Sequence, residues 1–183
     1  MKYSDIYRLY STSQPKDAIH QALREVPVDD SDEQYEDRSP LHLACQYGDT
    51  EGVKILLERD AEPNTKDANG STPIHILGRT SAGCADEDKL KEIAVMLIEQ
   101  GANIPRSAKN TTALIECIRN RHFKMAEAII DSGARVNSTD LNGENVLFGF
   151  CAASGDIRRD IRFAKKELDE SVQYLLMSPE AAQ

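Results

Sequence analysis

Histidine and cysteine are the side chains through which this sequence could carry nucleophilic catalysis or bind a metal. There are four of each. The cysteines include no Cys-x-x-Cys pair, although disulfide frameworks and zinc sites usually show a close or patterned spacing. We therefore expect reduced thiols in a cytoplasmic protein. The four cysteines are Cys45, Cys84, Cys117 and Cys151.

Two of the histidines occupy the same position in matching tetrapeptides, Ser39-Pro40-Leu41-His42 and Thr72-Pro73-Ile74-His75. A Ser or Thr followed by Pro begins a helix, because the hydroxyl accepts from a free amide and proline has a helical φ. An imidazole three residues later can hydrogen-bond back to this cap, as in a capping box. We expect a structural role for both imidazoles rather than catalysis.

Nucleophilic catalysis would need a thiol and a base on one face of an element. Cys117 and His122 are five residues apart, so one helix face cannot present both. Neither His20 nor His122 is followed by a second ligand at position i+3 or i+4. Cys84 is expected to be exposed and is the alternative candidate for a reactive thiol. The sequence predicts no catalytic residue, cofactor or metal.

An acidic run at residues 29–37 could suggest calcium, but it lacks the spacing and the glycine of an EF-hand loop. A solvated surface is the interpretation we favour. No phosphate-binding glycine loop and no Gly-x-Ser-x-Gly motif is present. The run comprises Asp29, Asp30, Asp32, Glu33, Glu36 and Asp37.

The composition is that of an ordinary globular protein: 183 residues, 40 % hydrophobic and 29 % charged. Only 5 % of residues are aromatic and none is Trp, so the core must be aliphatic. The formal net charge of -9 argues against binding to nucleic acid or to anionic membranes. No apolar run approaches the length of a membrane span, and residues 1–17 show no signal-peptide pattern.

The chain repeats itself in two alternating patterns. The first is a capped apolar segment, and the second is a longer apolar stretch that ends with Gly-Ala or Asp-Ala and then an Asn within three residues. The first recurs at Ser39–Ala44, Thr72–Leu77, Thr112–Cys117 and Asn145–Phe148. The second recurs at Gly52–Asn64, Ile93–Asn103 and Met125–Asn137.

Each unit therefore predicts a short helix, a turn and a second helix, followed by a projecting hairpin. Gly48 breaks the first helix, and the second ends at Gly101, at Gly133 or at the equivalent Asp60. In the alignment Cys117 falls at the position of Ala44, a small-residue site between helices, so core packing is expected for it. Asn-Gly pairs at residues 69–70 and 142–143 are typical of tight turns.

These residues resemble ankyrin repeats over residues 35–177, with the strongest match in the units that begin at Tyr35 and Asp67. The resemblance implies an all-α solenoid of stacked antiparallel helix pairs with projecting β-hairpin loops. We expect one domain, 1–183, with an insertion between the helices of its second repeat and a long final helix over 157–177. Its predicted parts are a degenerate N-terminal cap (1–34), repeat 1 (35–66), repeat 2 (67–107), repeat 3 (108–139) and a degenerate C-terminal repeat (140–177).

Ankyrin-like stacks generally bind partners through hairpin tips and the exposed side of each first helix. Projecting these positions onto the sequence predicts a concave protein-binding groove, with Tyr47 as the strongest single anchor. The predicted contacts are Gln46, Tyr47, Asn69, Arg79, Thr80, Lys109, Arg119, Asn120 and Leu141.

Charge changes sign along the chain, although chance scatter is an alternative explanation. Residues 1–38 hold 5 basic and 9 acidic side chains, a net of -4. Residues 106–139 hold 6 basic and 3 acidic side chains, a net of +3. A partner with an acidic segment facing repeat 3 would suit this polarity.

The favoured function is a non-catalytic protein-binding module that acts as an adaptor, inhibitor or scaffold. We expect a monomer with a protein partner, without nucleic acid or membrane binding. The alternative is the targeting part of a host-directed effector or larger regulatory protein whose activity lies elsewhere. An enzyme that uses Cys84 or Cys117 is the third hypothesis, since a fold does not by itself determine function.

Overall fold

A computed structural model describes residues 1–80, 86–103 and 112–134. These ranges contain eight α-helices, one 3-10 helix (Glu33–Tyr35) and no β-strand. The predicted all-α class is confirmed, whereas the predicted hairpins are not visible as strand pairs in these ranges. The helices are α1 (Tyr3–Ser11), α2 (Lys16–Glu25), α3 (Pro40–Gln46), α4 (Thr50–Leu57), α5 (Pro73–Gly78), α6 (Glu87–Glu99), α7 (Ala113–Arg119) and α8 (Phe123–Asp131).

The helices stack in two layers. One layer runs α1, α3, α5, α7, and the other runs α2, α4, α6, α8, with contacts between neighbours in each layer. Each first helix also contacts the second helix that follows it. The proposed unit boundaries remain a prediction. Several predicted features lie outside the described residues: Cys84, Lys109, Leu141, Cys151 and the final helix over 157–177.

The first helices begin as their sequences predict. Pro40 and Pro73 occupy the first turns of α3 and α5, after the N-caps Ser39 and Thr72. The Ser39 hydroxyl accepts from the His42 backbone, while the His42 imidazole accepts from the Ser39 backbone N–H at 3.1 Å. The same reciprocal arrangement joins Thr72 and His75. The predicted structural role of both histidines is confirmed.

Each of the second helices α4, α6 and α8 is followed, two or three residues after its last helical residue, by a residue with left-handed backbone. Asp60 has φ 61°, and Gly101 and Gly133 have φ 84° and 92°. A positive φ is favourable for glycine and tolerated by Asp, so the predicted equivalence of Asp60 with the two glycines is confirmed. The first turn of α6 is acidic, because this helix begins with Glu87 and Asp88 after the N-cap Asp86.

The core is a continuous aliphatic layer between the two rows of helices. Ile6 and Tyr10 of α1 are buried, and so are Ile19 and Leu23 of α2. Ala18 of α2 is exposed. The buried stripe of α2 is narrow because this helix lies at the end of its row and has α1 and α4 as its main helix neighbours.

None of the helices in the described ranges combines the length and the apolar character that crossing a bilayer requires.

Candidate binding surface

Six of the predicted groove residues lie at the C-terminal ends of three first helices. In α3 and α7 they are the last helical residue and the cap that follows, and in α5 they are the cap and the residue after it. Since these helices are neighbours in one layer, their ends form a row that crosses three units. The row consists of Gln46, Tyr47, Arg79, Thr80, Arg119 and Asn120.

Tyr47, in the row at the end of α3, is 37 % exposed. Its ring stacks on that of Tyr10, with centroids 4.8 Å apart and planes 12° from parallel. In the described part of the chain, only Met1 and Tyr47 are large hydrophobic residues with this much exposure. Gln46 beside it accepts a hydrogen bond from Arg38 Nη1 at 2.9 Å. The end of α3 therefore exposes the Tyr47 ring, which is held in place by stacking on Tyr10.

At the end of α5, Arg79 is held by its neighbours. Its Nε donates to Glu116 Oε1 on α7 at 3.0 Å, and its Nη1 donates to Ser71 Oγ at 3.0 Å. Thr80 differs from expectation, because its side chain faces the interior and the residue is 5 % exposed. Its hydroxyl points toward the carbonyl of Cys45, 3.4 Å away. Thr80 thus offers little surface to a partner.

At the end of α7, Asn120 connects two units. Its Nδ2 donates to the Gly78 carbonyl at 3.0 Å and to the Glu116 carbonyl at 2.9 Å. Arg119 is half-buried beside it. Asn69 belongs to the turn at residues 67–71, where its N–H donates to Asp67 Oδ1 at 2.9 Å. Asn120 therefore also joins neighbouring units of the stack, which sequence reasoning did not anticipate.

A buried polar network near the start of α4 was also missed. Tyr10 Oη donates to Asp49 Oδ2 at 2.8 Å, and His20 Nε2 lies 3.0 Å from Asp49 Oδ1. Burial, then the charge of Asp49, raises the pKa of Tyr10, so the phenol stays protonated and donates. The network joins α1 and α2 to α4. His20 and Tyr10 lie 29 and 39 residues before Asp49 in the sequence, so no local motif predicts the network.

Tyrosines also cluster along α1. The Tyr7 and Tyr35 rings have centroids 4.3 Å apart, and Tyr3 and Tyr35 are 5.6 Å apart. Tyr3, Tyr7 and Tyr10 have the spacing i, i+4, i+7 of one helix face, a signal that the sequence does contain.

Within the described ranges, the catalytic candidates Cys117 and His122 are not arranged for nucleophilic attack. Burial raises the pKa of the Cys117 thiol, whereas a reactive cysteine needs a lowered one. The His122 imidazole is buried and donates from Nε2 to the Thr80 carbonyl at 2.6 Å. Cys45 is fully buried and its pKa is raised too. The expected core packing of Cys117 is confirmed, and in the described ranges no group of three metal-binding side chains converges.

Comparisons with known proteins agree with this architecture. Residues 22–77 match the family described as ankyrin repeats (many copies). Neurogenic locus notch homolog protein 1 of Mus musculus is 31 % identical over 134 residues, which is 73 % of this chain and 5 % of that protein. The ankyrin repeat protein nuc-2 of Neurospora crassa is 29 % identical over 124 residues, 67 % of this chain and 10 % of that protein.

A shorter match is to a transient receptor potential cation channel subfamily A member 1 homolog of Caenorhabditis elegans. It is 38 % identical over 69 residues, 38 % of this chain and 6 % of that protein. The chain thus spans a tenth or less of the length of these relatives. Ankyrin repeats are generally non-catalytic modules for protein interaction. The capped helix pairs, their two-layered stacking and these matches together show that the chain belongs to the ankyrin repeat family.

Proposed function

We propose that this chain is a non-catalytic protein-binding module that holds a partner along the ends of its first helices, as an adaptor, inhibitor or scaffold. The observation that carries the proposal is the row of side chains at one position of α3, α5 and α7. We place the module in the cytoplasm as a monomer, without nucleic acid or membrane as its target. The proposed contacts are Gln46, Tyr47, Asn69, Arg79, Lys109, Arg119, Asn120 and Leu141.

Preorganisation supports this proposal at Arg79. Binding is weakened when flexible side chains must be ordered at the interface. Arg79 is already fixed by Glu116 and Ser71, and these two hydrogen bonds use two of its five donors. A partner carbonyl or carboxylate would meet a guanidinium that is already oriented.

The charge of repeat 3 supports an acidic segment in the partner. Arg119 is half-buried at the end of α7 and Arg121 is exposed in the next turn. Opposite charge across an interface raises the association rate and fixes orientation more than it raises affinity. We therefore place the acidic segment of the partner over the end of α7.

The second candidate is that the chain targets an activity that lies elsewhere in a larger protein. The matched relatives favour it, because this chain corresponds to only 5 % of the notch homolog and 10 % of nuc-2. In that case the same row of side chains would recruit the partner on which the remaining protein acts.

Affinity capture with the full chain tests the proposal. The tagged chain and a Tyr47→Ser/Arg79→Gln/Arg119→Gln variant are incubated with native lysate, and captured proteins are quantified. We expect capture to fall about tenfold or more, since a few anchors carry most interface energy. The control is Lys54→Gln/Lys89→Gln, which removes two exposed charges from α4 and α6. Unchanged capture by the triple variant, at full helicity in circular dichroism, would contradict the proposal.

A further inference from the structure

Five of the six tyrosines of the chain lie together at its N-terminal end. Tyr3 and Tyr10 are buried beneath the others. Tyr7 and Tyr35 are half-buried, and Tyr47 is 37 % exposed. Three tyrosine rings are therefore partly exposed at the surface, and each of them contacts another tyrosine ring. We call Tyr7, Tyr35 and Tyr47 the tyrosine surface.

An acidic loop borders the tyrosine surface. Residues 29–37 hold six carboxylates and no Lys or Arg, and Tyr35 belongs to this loop. The Tyr3 N–H donates to Asp30 Oδ2 at 2.8 Å, which fixes the loop against the start of α1. Within the described residues, neither Glu33 nor Asp37 has an ion-pair partner. These two carboxylates therefore add negative charge beside the rings.

Arg38 cancels the charge of only one carboxylate of this loop, that of Glu36. Arg38 is already bound by Glu36 and Gln46, and its Nε lies 3.7 Å from Asp67 Oδ2. Arg8 of α1 lines a different shallow depression together with Met1 and Leu9. The tyrosine surface and the loop therefore form a region that is both aromatic and anionic.

Such a region suits one kind of ligand. A guanidinium stacks on aromatic faces within about 6 Å and pairs with carboxylates through a planar fork of donors. A Lys ammonium can make the charge contact but not the planar pairing. We propose that the tyrosine surface and the loop at 29–37 bind an arginine-containing basic segment of the protein partner. This inference rests on the proposed function and names the partner's chemistry at one end of the row.

A second copy of the chain is the competing occupant. Its repeat 3 offers Arg121 and Lys124, but Lys124 already pairs with Asp88 at 2.7 Å, and each copy carries a net charge of -9. Repulsion between two such acidic chains opposes this pairing. We therefore favour a separate basic partner, and self-association becomes an outcome of the test.

The experiment uses the full chain and a fluorescein-labelled ten-residue peptide of alternating Arg and Gly, followed by fluorescence anisotropy. A peptide with Lys in place of each Arg has the same charge and serves as the ligand control. We expect the Arg peptide to bind about fivefold more tightly than the Lys peptide. Its binding should weaken as NaCl rises, because the carboxylates are partly exposed.

Two variants locate the binding. Tyr47→Ser removes the exposed ring, and Glu33→Gln/Asp37→Asn removes two charges, with Asn tolerating the positive φ of Asp37. Each variant should bind the Arg peptide about three- to tenfold more weakly than the unmodified chain does. The matched control is Glu58→Gln/Asp60→Asn, which makes the same changes at the end of α4, including one at positive φ. The control should bind like the unmodified chain.

Three results would overturn the inference: equal binding of the Arg and Lys peptides, equal binding by all variants, or an equal loss in the matched control. Sedimentation showing a dimer that Glu33→Gln/Asp37→Asn dissociates would overturn it in favour of self-association. The two proposals fail separately. Peptide binding that follows the variants, with no protein captured through Arg79 and Arg119, contradicts only the proposed function. Capture that depends on Arg79 and Arg119, with peptide binding indifferent to the variants, contradicts only this inference.

Discussion

The two ends of the described stack are joined by different chemistry. At the N-terminal end, α1 and α2 meet α3 and α4 through tyrosine rings and a buried network centred on Asp49. At the other end, ion pairs join α5 and α6 to α7 and α8 around the shared aliphatic core. These are Arg79–Glu116 and Lys91–Glu127, both at 3.0 Å, and Lys124–Asp88 at 2.7 Å.

The difference lies in which side chains the stacking uses. At the N-terminal end the partners are buried, and Arg59 adds a bond from Nη1 to the Val26 carbonyl at 2.8 Å. Tyr47 extends above these contacts and remains open to a ligand. At the other end Arg79 and Asn120 are both stacking residues and proposed contacts. We therefore expect different residues to serve binding and stability at the first junction, where α1 and α2 meet α3 and α4. At the second junction, where α5 and α6 meet α7 and α8, we expect the same residues to serve both.

The largest effect expected from this comparison is that of Asp49→Ala. Removing the carboxylate leaves Tyr10 and His20 without their buried partner, which should lower the free energy of unfolding by about 4 kcal/mol. Urea unfolding followed by circular dichroism measures it. Glu127→Gln, which breaks a half-exposed ion pair at the other junction, is the control. Equal losses in the two variants would erase the distinction between the junctions.

An effect of intermediate size concerns pH and His42, which lies between the two ends and donates from Nε2 to the Ser71 carbonyl at 3.0 Å. Burial lowers the pKa of His42 to about 4 from 6.5, despite that bond and the nearby Asp67, while Arg38 lowers it further. The unfolded chain therefore gains its proton near pH 6.5, and the folded chain only near pH 4.

Stability should consequently fall as pH drops from 6.5 to 4, by about 3 kcal/mol from this group alone. Carboxylates titrate in the same range, so the quantity to measure is the difference between the unmodified chain and His42→Gln across urea titrations at several pH values. A difference that stays constant from pH 7 to pH 4 would show that His42 is not the titrating group.

The smallest expected effect is that of Lys91→Gln at the second junction. Its pair with Glu127 is about 40 % exposed on both sides, so its loss should cost under about 1 kcal/mol, and the cost should vanish in high salt. Urea midpoints at low and high NaCl measure this. A loss as large as that of Asp49→Ala, unaffected by salt, would mean that both junctions depend on buried polar contacts.

Sequence reasoning succeeded wherever the relevant contact is local. The caps Ser39 and Thr72 lie three residues from the imidazoles that they bond, and Asp60 ends its helix by its own backbone conformation. The buried position of Cys117 followed from its place in the repeat. Each of these features is fixed within one unit, so spacing along the chain is sufficient to predict it.

Contacts between units were not predictable in the same way. Asp49 meets residues 29 and 39 positions away, and Arg79 meets Glu116 from 37 positions away. Such pairs depend on how the helices of one unit are positioned against those of the next unit. The sequence of a single unit does not determine this. The interior position of Thr80 has the same origin, because its side chain faces the neighbouring α3.

Several bonds between units end on the main chain of the neighbour. His42 reaches the Ser71 carbonyl, and Asn64 Nδ2 reaches the Gly101 carbonyl at 3.0 Å. Asn120 and His122 reach those of Gly78 and Thr80. Any segment that follows the same path supplies the same acceptors, whatever its side chains. Units could accordingly be duplicated, exchanged or altered on their outer faces while these hydrogen bonds between units are kept. The binding surface can therefore change faster in evolution than the fold.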